Sequence, residues 1–150
     1  MALSKKEQVL AAIATRLATI TVANGYNNTL ARIDRQHIQL REDAYPQLLI
    51  NDASETFQYF PDQWAESTLV YTVTGAVQAN SGNDGATDLG TVLNALIQDF
   101  KKAMYADLLL TALAKYHRLA GIRTDEGFMN PLGLFVARCE VVFRYRATDP

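Results

Sequence analysis

Apolar residues recur along the chain with two different periods, and the changes of period divide it into elements. From Val9 to Ile20 the spacing is helical: Val9, Ile13, Leu17 and Ile20 share one face, with Lys6, Arg16 and Thr19 towards water. Ser4 and Glu7 have the spacing of a capping box, in which each side chain bonds the other residue's backbone N–H. Asn24-Gly25 supplies a stop, because glycine takes the left-handed conformation after a helix without steric cost. These signals predict a helix over 4–23. A second helix is predicted from Thr87 or Asp88, either of which can cap it. Its buried face is Leu89, Val92, Leu93, Leu96, Ile97, Phe100 and Met104, and Asn94, Gln98, Lys101 and Lys102 lie opposite. The apolar stretch Asp107 to Lys115 is expected to be helical after a bend.

Elsewhere the period falls to two. Over 66–79, Leu69, Tyr71, Val73, Gly75 and Val77 share one parity, and Val70, Thr72, Thr74, Ala76 and Gln78 the other, a pattern rich in β-branched and aromatic residues. The terminal strand puts Phe135, Ala137, Cys139, Val141, Phe143 and Tyr145 on one face, and Arg138, Glu140, Arg144 and Arg146 on the other beside Val136 and Val142. One buried and one wet face is the pattern of an antiparallel sheet. Residues 29–41 change parity midway, which needs a bulge or a break. Gln47 to Ile50 is a short apolar strand, followed by turn chemistry at Asn51-Asp52-Ala53-Ser54. Thr56 to Phe60 reads as strand or as an aromatic-bearing loop ended by Pro61, 80–85 as a flexible loop, and 116–124 as a strand leading to a turn at Asp125-Glu126-Gly127. The order predicts a single α+β domain: an antiparallel or mixed β-sheet with helices packed on one face.

With 150 residues, 49% hydrophobic and 20% charged, the chain is long and apolar enough to bury a core and is not disordered. A net charge of −2 gives no overall attraction to nucleic acid or anionic membrane. No apolar run approaches the roughly 20 residues of a membrane helix, and the N-terminal segment, with Gln8, Thr15 and Arg16, is not a secretory signal. A protein made and assembled in a cytoplasm is expected.

Cys139 alternates with core residues and is read as a small buried hydrophobe, not a nucleophile. His37 and His117 have no second ligand at metal spacing and are read as surface or interface residues. The carboxylates Asp34, Glu42, Asp43, Asp52, Asp84, Asp88, Asp99, Asp107, Asp125 and Glu126 are scattered, as solvated loop and cap residues are. The loop Gly82-Asn83-Asp84-Gly85-Ala86-Thr87 precedes a helix but lacks the signatures of phosphate-binding and calcium loops. No catalytic, cofactor or metal residue is assigned. Two groups stand out instead. Arg138, Arg144 and Arg146 alternate onto one strand face, with Arg123 a candidate neighbour; this face either pairs with an acidic partner or lines a channel carrying DNA, or is an ordinary solvated one, as Glu140 among them suggests. Phe57, Tyr59, Phe60 and Trp64, set between turn signals, either contact a neighbouring molecule or close the domain's own core.

Taken in order, the N-terminal helix ending in Asn24-Gly25-Tyr26, the segment Arg41-Glu42-Asp43-Ala44-Tyr45-Pro46-Gln47-Leu48-Leu49-Ile50, the strand 69–77, the Asp/Gly loop, the helix 89–100 and the terminal Phe143-Arg144-Tyr145-Arg146 resemble the tail terminator family of long-tailed bacteriophages, of the phage lambda type. The resemblance runs over nearly the whole chain and implies a structural protein, not an enzyme. It implies a homo-oligomeric, commonly hexameric ring on the head-proximal end of the tail tube that stops tube growth and offers a surface for head–tail joining. The implied partners are further copies of the chain, the tail tube protein and the head–tail connector, with DNA passing through the lumen without sequence-specific binding and no membrane. The expected location is the neck region of the virion tail. A head-side connector or minor tail protein of similar fold, a small ligand- or nucleic-acid-binding module, and a hydrolase with dispersed carboxylates are the alternatives.

Overall fold

A computed structural model describes residues 2–36, 39–79, 88–107, 109–129 and 131–148. Helix α1 spans Lys5–Ala18, β1 Arg32–Arg35, β2 Gln47–Tyr59, β3 Trp64–Gln78, α2 Leu89–Ala106, β4 Tyr116–Thr124 and β5 Leu132–Arg146. The five strands form one mixed sheet in the order β1-β2-β3-β5-β4, parallel only between β1 and β2. Strands β3 and β5 are its spine and pair without a break from Trp64 opposite Arg146 to Gln78 opposite Leu132.

Both helices pack on one face of the sheet. Val9, Leu10, Ile13 and Leu17 of α1 and Leu96, Phe100 and Met104 of α2 join Leu48, Ile50, Leu69, Tyr71, Val73, Phe135, Val141 and Phe143 in one core. Each such side chain contributes about 1.5–3 kcal/mol when fully buried, so the side-chain period along each element decides which face turns inward. Gly75 leaves room in this layer for the Phe135 ring, which lies where a β-carbon would project.

Helix α1 is shorter than 4–23. Ser4 Oγ accepts from the Glu7 N–H at 3.2 Å, but the Glu7 carboxylate turns away to Arg35, so half of the capping box forms. The helix ends at Ala18, and Asn24-Gly25 closes a separate 3₁₀ turn over Val22–Asn24, with Gly25 at φ 83°. At the other helix Asp88 is the cap, its carboxylate accepting from Gly90 N–H; Thr87 and the predicted loop 80–85 lie outside the described residues. The predicted helix over 107–115 does not form. There Asp107 accepts from Thr111 N–H at 2.7 Å and from its hydroxyl, and Leu110, Thr111 and Ala112 all take left-handed backbone, with φ of 48°, 57° and 66°.

Asn51–Ser54 is not a turn, since β2 runs through it. The extra residue Ala53 forms a β-bulge between Asp52 opposite Tyr71 and Ser54 opposite Val70. A bulge switches the parity of everything beyond it, so Leu48 and Ile50 face the helices before it and Phe57 and Tyr59 after it. A second bulge, at Ala120 in β4, does the same for Leu119 and Ile122. Among the described residues of 29–41, Arg32–Arg35 is the strand.

Candidate functional site

The second face of the sheet carries no described helix. Towards β1, Gln47 and Leu49 are buried on this face, Gln47 bonding the backbone N–H and C=O of Arg41. Over β3, β5 and β4 it is a half-open surface of Thr68, Val70, Thr72, Thr74, Val136 and Val142 crossed by charges. Arg138, Arg144 and Arg146 are all exposed there. Register adds Arg118 opposite Glu140 and Arg123 opposite Val136, and Lys115 reaches Glu66 at 3.0 Å. Over β3, β5 and β4 these six cations meet two strand carboxylates among the described residues, Glu66 and Glu140, whereas the whole chain is at −2. The face is therefore cationic on an acidic protein, and β-sheet pairing fixes the spacing of its charges.

The cations are held differently. Arg144 donates to Glu66 at 2.8 Å and stacks over Phe60, 5.2 Å from the ring centroid. Glu66 is held below the ordinary carboxylate range, first by Arg144 and then by Lys115. Arg118 bonds Glu140 at 2.8 Å, and Arg146 lies over Trp64 at 5.5 Å. Arg138 and Arg123 make no ion pair among the described residues.

Phe57, Tyr59, Phe60 and Trp64 do not form a loop. They sit at the tip of the β2–β3 hairpin, with Phe57 and Tyr59 on its helix side and Trp64 beside Arg146. Phe57 and Tyr59 stack at 6.4 Å, and Tyr59 is 69% exposed. The tip thus presents aromatic surface outward and does not close the core.

Cys139 and His117 belong to a buried polar cluster. Burial pushes the Cys139 thiol up to about 12 against a weaker opposing bond from Tyr71, so it stays protonated. His117 is 4% exposed, which corrects its reading as a surface residue. The β4 pairing turns it inward, where its Nε2 bonds the Tyr71 hydroxyl. The hydroxyl in turn donates to Met104 Sδ at 3.9 Å. A proton on Nε2 satisfies this chain and leaves Nδ1, which has no partner, as a bare acceptor. His37 lies outside the described residues.

Two carboxylates have structural work. Asp99, 1% exposed, accepts from the backbone N–H and side-chain amide of both Asn27 and Asn28, at 2.8–3.0 Å. Asp125 accepts from Met129 N–H at 3.0 Å and, over longer distances, from Gly127 and Leu134 N–H. This fixes the β4–β5 turn with Phe128 standing 92% exposed at its tip. Among the described residues no three His, Cys, Asp or Glu side chains cluster as metal ligands, and no described helix is long and apolar enough to cross a membrane. Compared with protein-family models and with curated proteins, the chain matches none.

Proposed function

We propose that this chain is a structural assembly protein of the tail terminator kind, working by geometry and not by catalysis. Copies close into a ring, for which the resemblance gives six, on the head-proximal end of a tail tube. The ring halts tube growth and presents its far surface to the head–tail connector. The observation that carries the reading is the cationic sheet face left bare by the helices. Cations spaced along a rigid sheet attract phosphodiester charge without reading bases, which suits a surface lining a channel that DNA must traverse. The exposed aromatic tip of the β2–β3 hairpin supports the same reading, because aromatic and arginine side chains dominate protein interface cores.

The test is electron microscopy of the purified protein, alone and mixed with tail tubes. Rings that cap tube ends are expected; particles that never associate with tubes would overturn the proposal. Recovery in filled heads without tails would instead favour a head-side connector of similar fold. Charge reversal at Arg138 and Arg144 together should leave the ring on the tube and impair DNA passage; normal ejection from such virions would remove the lumen assignment.

A further inference from the structure

The two ends of the β3–β5 spine are roughly 50 Å apart at ~3.3 Å per residue, and they carry opposite charge. At one end a cleft of about 280 Å³ is lined by Leu3, Lys5, Gln8, Trp64, Arg144, Tyr145 and Arg146. Lys5 and Arg146 make no ion pair among the described residues, and the Arg146 guanidinium lies over the Trp64 ring. Among the described residues, the carboxylates close to this end are already engaged: Glu66 is shared by Arg144 and Lys115, and Glu55, which acts on Tyr145, pairs with Lys6. At the other end Asp88, Asp125 and Glu126 line a cleft of about 340 Å³ between the start of α2 and the β4–β5 turn. No cation lines it among the described residues, and Arg123, just before the turn, lies on the helix-free face.

We propose that these ends bind each other between copies of this chain, the Asp125–Met129 tip of one entering the Lys5/Trp64/Arg146 cleft of the next. This rests on the ring reading above and names the contact that joins its subunits. Three features select a second copy as the occupant. The charges are complementary: Glu126 and Asp88 on one side, Lys5 and Arg146 on the other. The apolar parts are complementary too, since Phe128 projects 92% exposed beside the acidic cleft, while Leu3, Trp64 and Tyr145 give the basic cleft apolar walls. Finally, the tip is already ordered by the three backbone N–H groups on Asp125, so docking costs little conformational entropy. The contact joins two different patches, so it is heterologous, the kind that closes rings.

Sedimentation velocity reads the contact directly. The wild type should associate, and Glu126→Lys, Phe128→Ser and Arg146→Glu should each weaken association by about tenfold or more, the loss typical of a close interfacial charge pair or an aromatic anchor. Association should also weaken as salt is raised. Combining Glu126→Lys with Arg146→Glu should restore it in part, which a merely misfolded variant would not do; matching circular dichroism melts would verify folding. Single variants that associate like the wild type, or a wild type that stays monomeric, would overturn the inference. Tube capping scored in parallel separates the two ideas: a wild type that caps tubes while its variants still associate sinks the contact and leaves the terminator reading standing.

Discussion

At 4% exposure the His117 ring has almost no water with which to solvate a second proton, and burial lowers its pKa from 6.5 to about 4 against a weaker pull from Asp107. Between those values the unfolded chain binds a proton that the folded chain refuses. The stabilisation is complete above pH 6.5 and falls as the pH drops towards 4, by roughly 3 kcal/mol. Urea unfolding of the wild type should therefore show a midpoint that drops between pH 7 and pH 4.5, and His117→Phe should flatten that drop. An equal drop in both proteins would mean that carboxylates alone carry it. Asp99 acts at the same scale. It gathers four N–H donors from Asn27 and Asn28 onto one buried carboxylate, and Asp99→Ala strands them, for a loss of about 3 kcal/mol by thermal or chemical melt. Neither role is written in the residue's neighbours: Asp99 looks like the polar side of a helix, and His117 owes its inward direction to the strand beside it.

Among the elements, those with a long unbroken period are legible in the sequence. The faces of α2, β3 and β5 follow their spacing, and the alternation of Cys139 with Val141 and Phe143 places the thiol in the core correctly. Where the reading fails, a partner overrides local chemistry. Asn51-Asp52-Ala53-Ser54 has turn residues, yet pairing with β3 continues on both sides and absorbs the excess residue as a bulge. The stretch after α2 has helical composition, but Asp107 bonds Thr111 and Arg16 and draws the chain into left-handed backbone. Gly75 shows the same dependence on a partner: nothing adjacent in sequence demands glycine, whereas the cross-strand Phe135 ring does. Gly75→Ala should cost about 1–3 kcal/mol through overpacking, and Phe135→Leu in the same chain should relieve part of that cost. A melt showing simple additivity of the two changes would remove this account.

For the whole molecule, the sequence shows the arginine row of β5 with Arg123 beside it but not the rest of the surplus, because Arg118 and Lys115 reach that face only by the pairing of β4. The aromatic cluster is visible as composition; its position on a hairpin tip depends on β2 running through its bulge. Since Phe57 and Tyr59 are exposed, replacing both with Ser should leave stability within about 0.5 kcal/mol and weaken attachment to tail tubes in a pull-down. Unchanged attachment would exclude the tip as a docking surface. The uninterrupted pairing of β3 with β5 also constrains how chains like this one can change in length. Deleting a single residue between Val136 and Phe143 would exchange the two faces over the rest of the strand, driving arginines under the helices and core aromatics into water. Removing or adding two keeps each face intact and only shortens or lengthens the sheet. Viable length variants of the spine should therefore differ by even numbers of residues, and odd ones should survive only where a new bulge restores the parity.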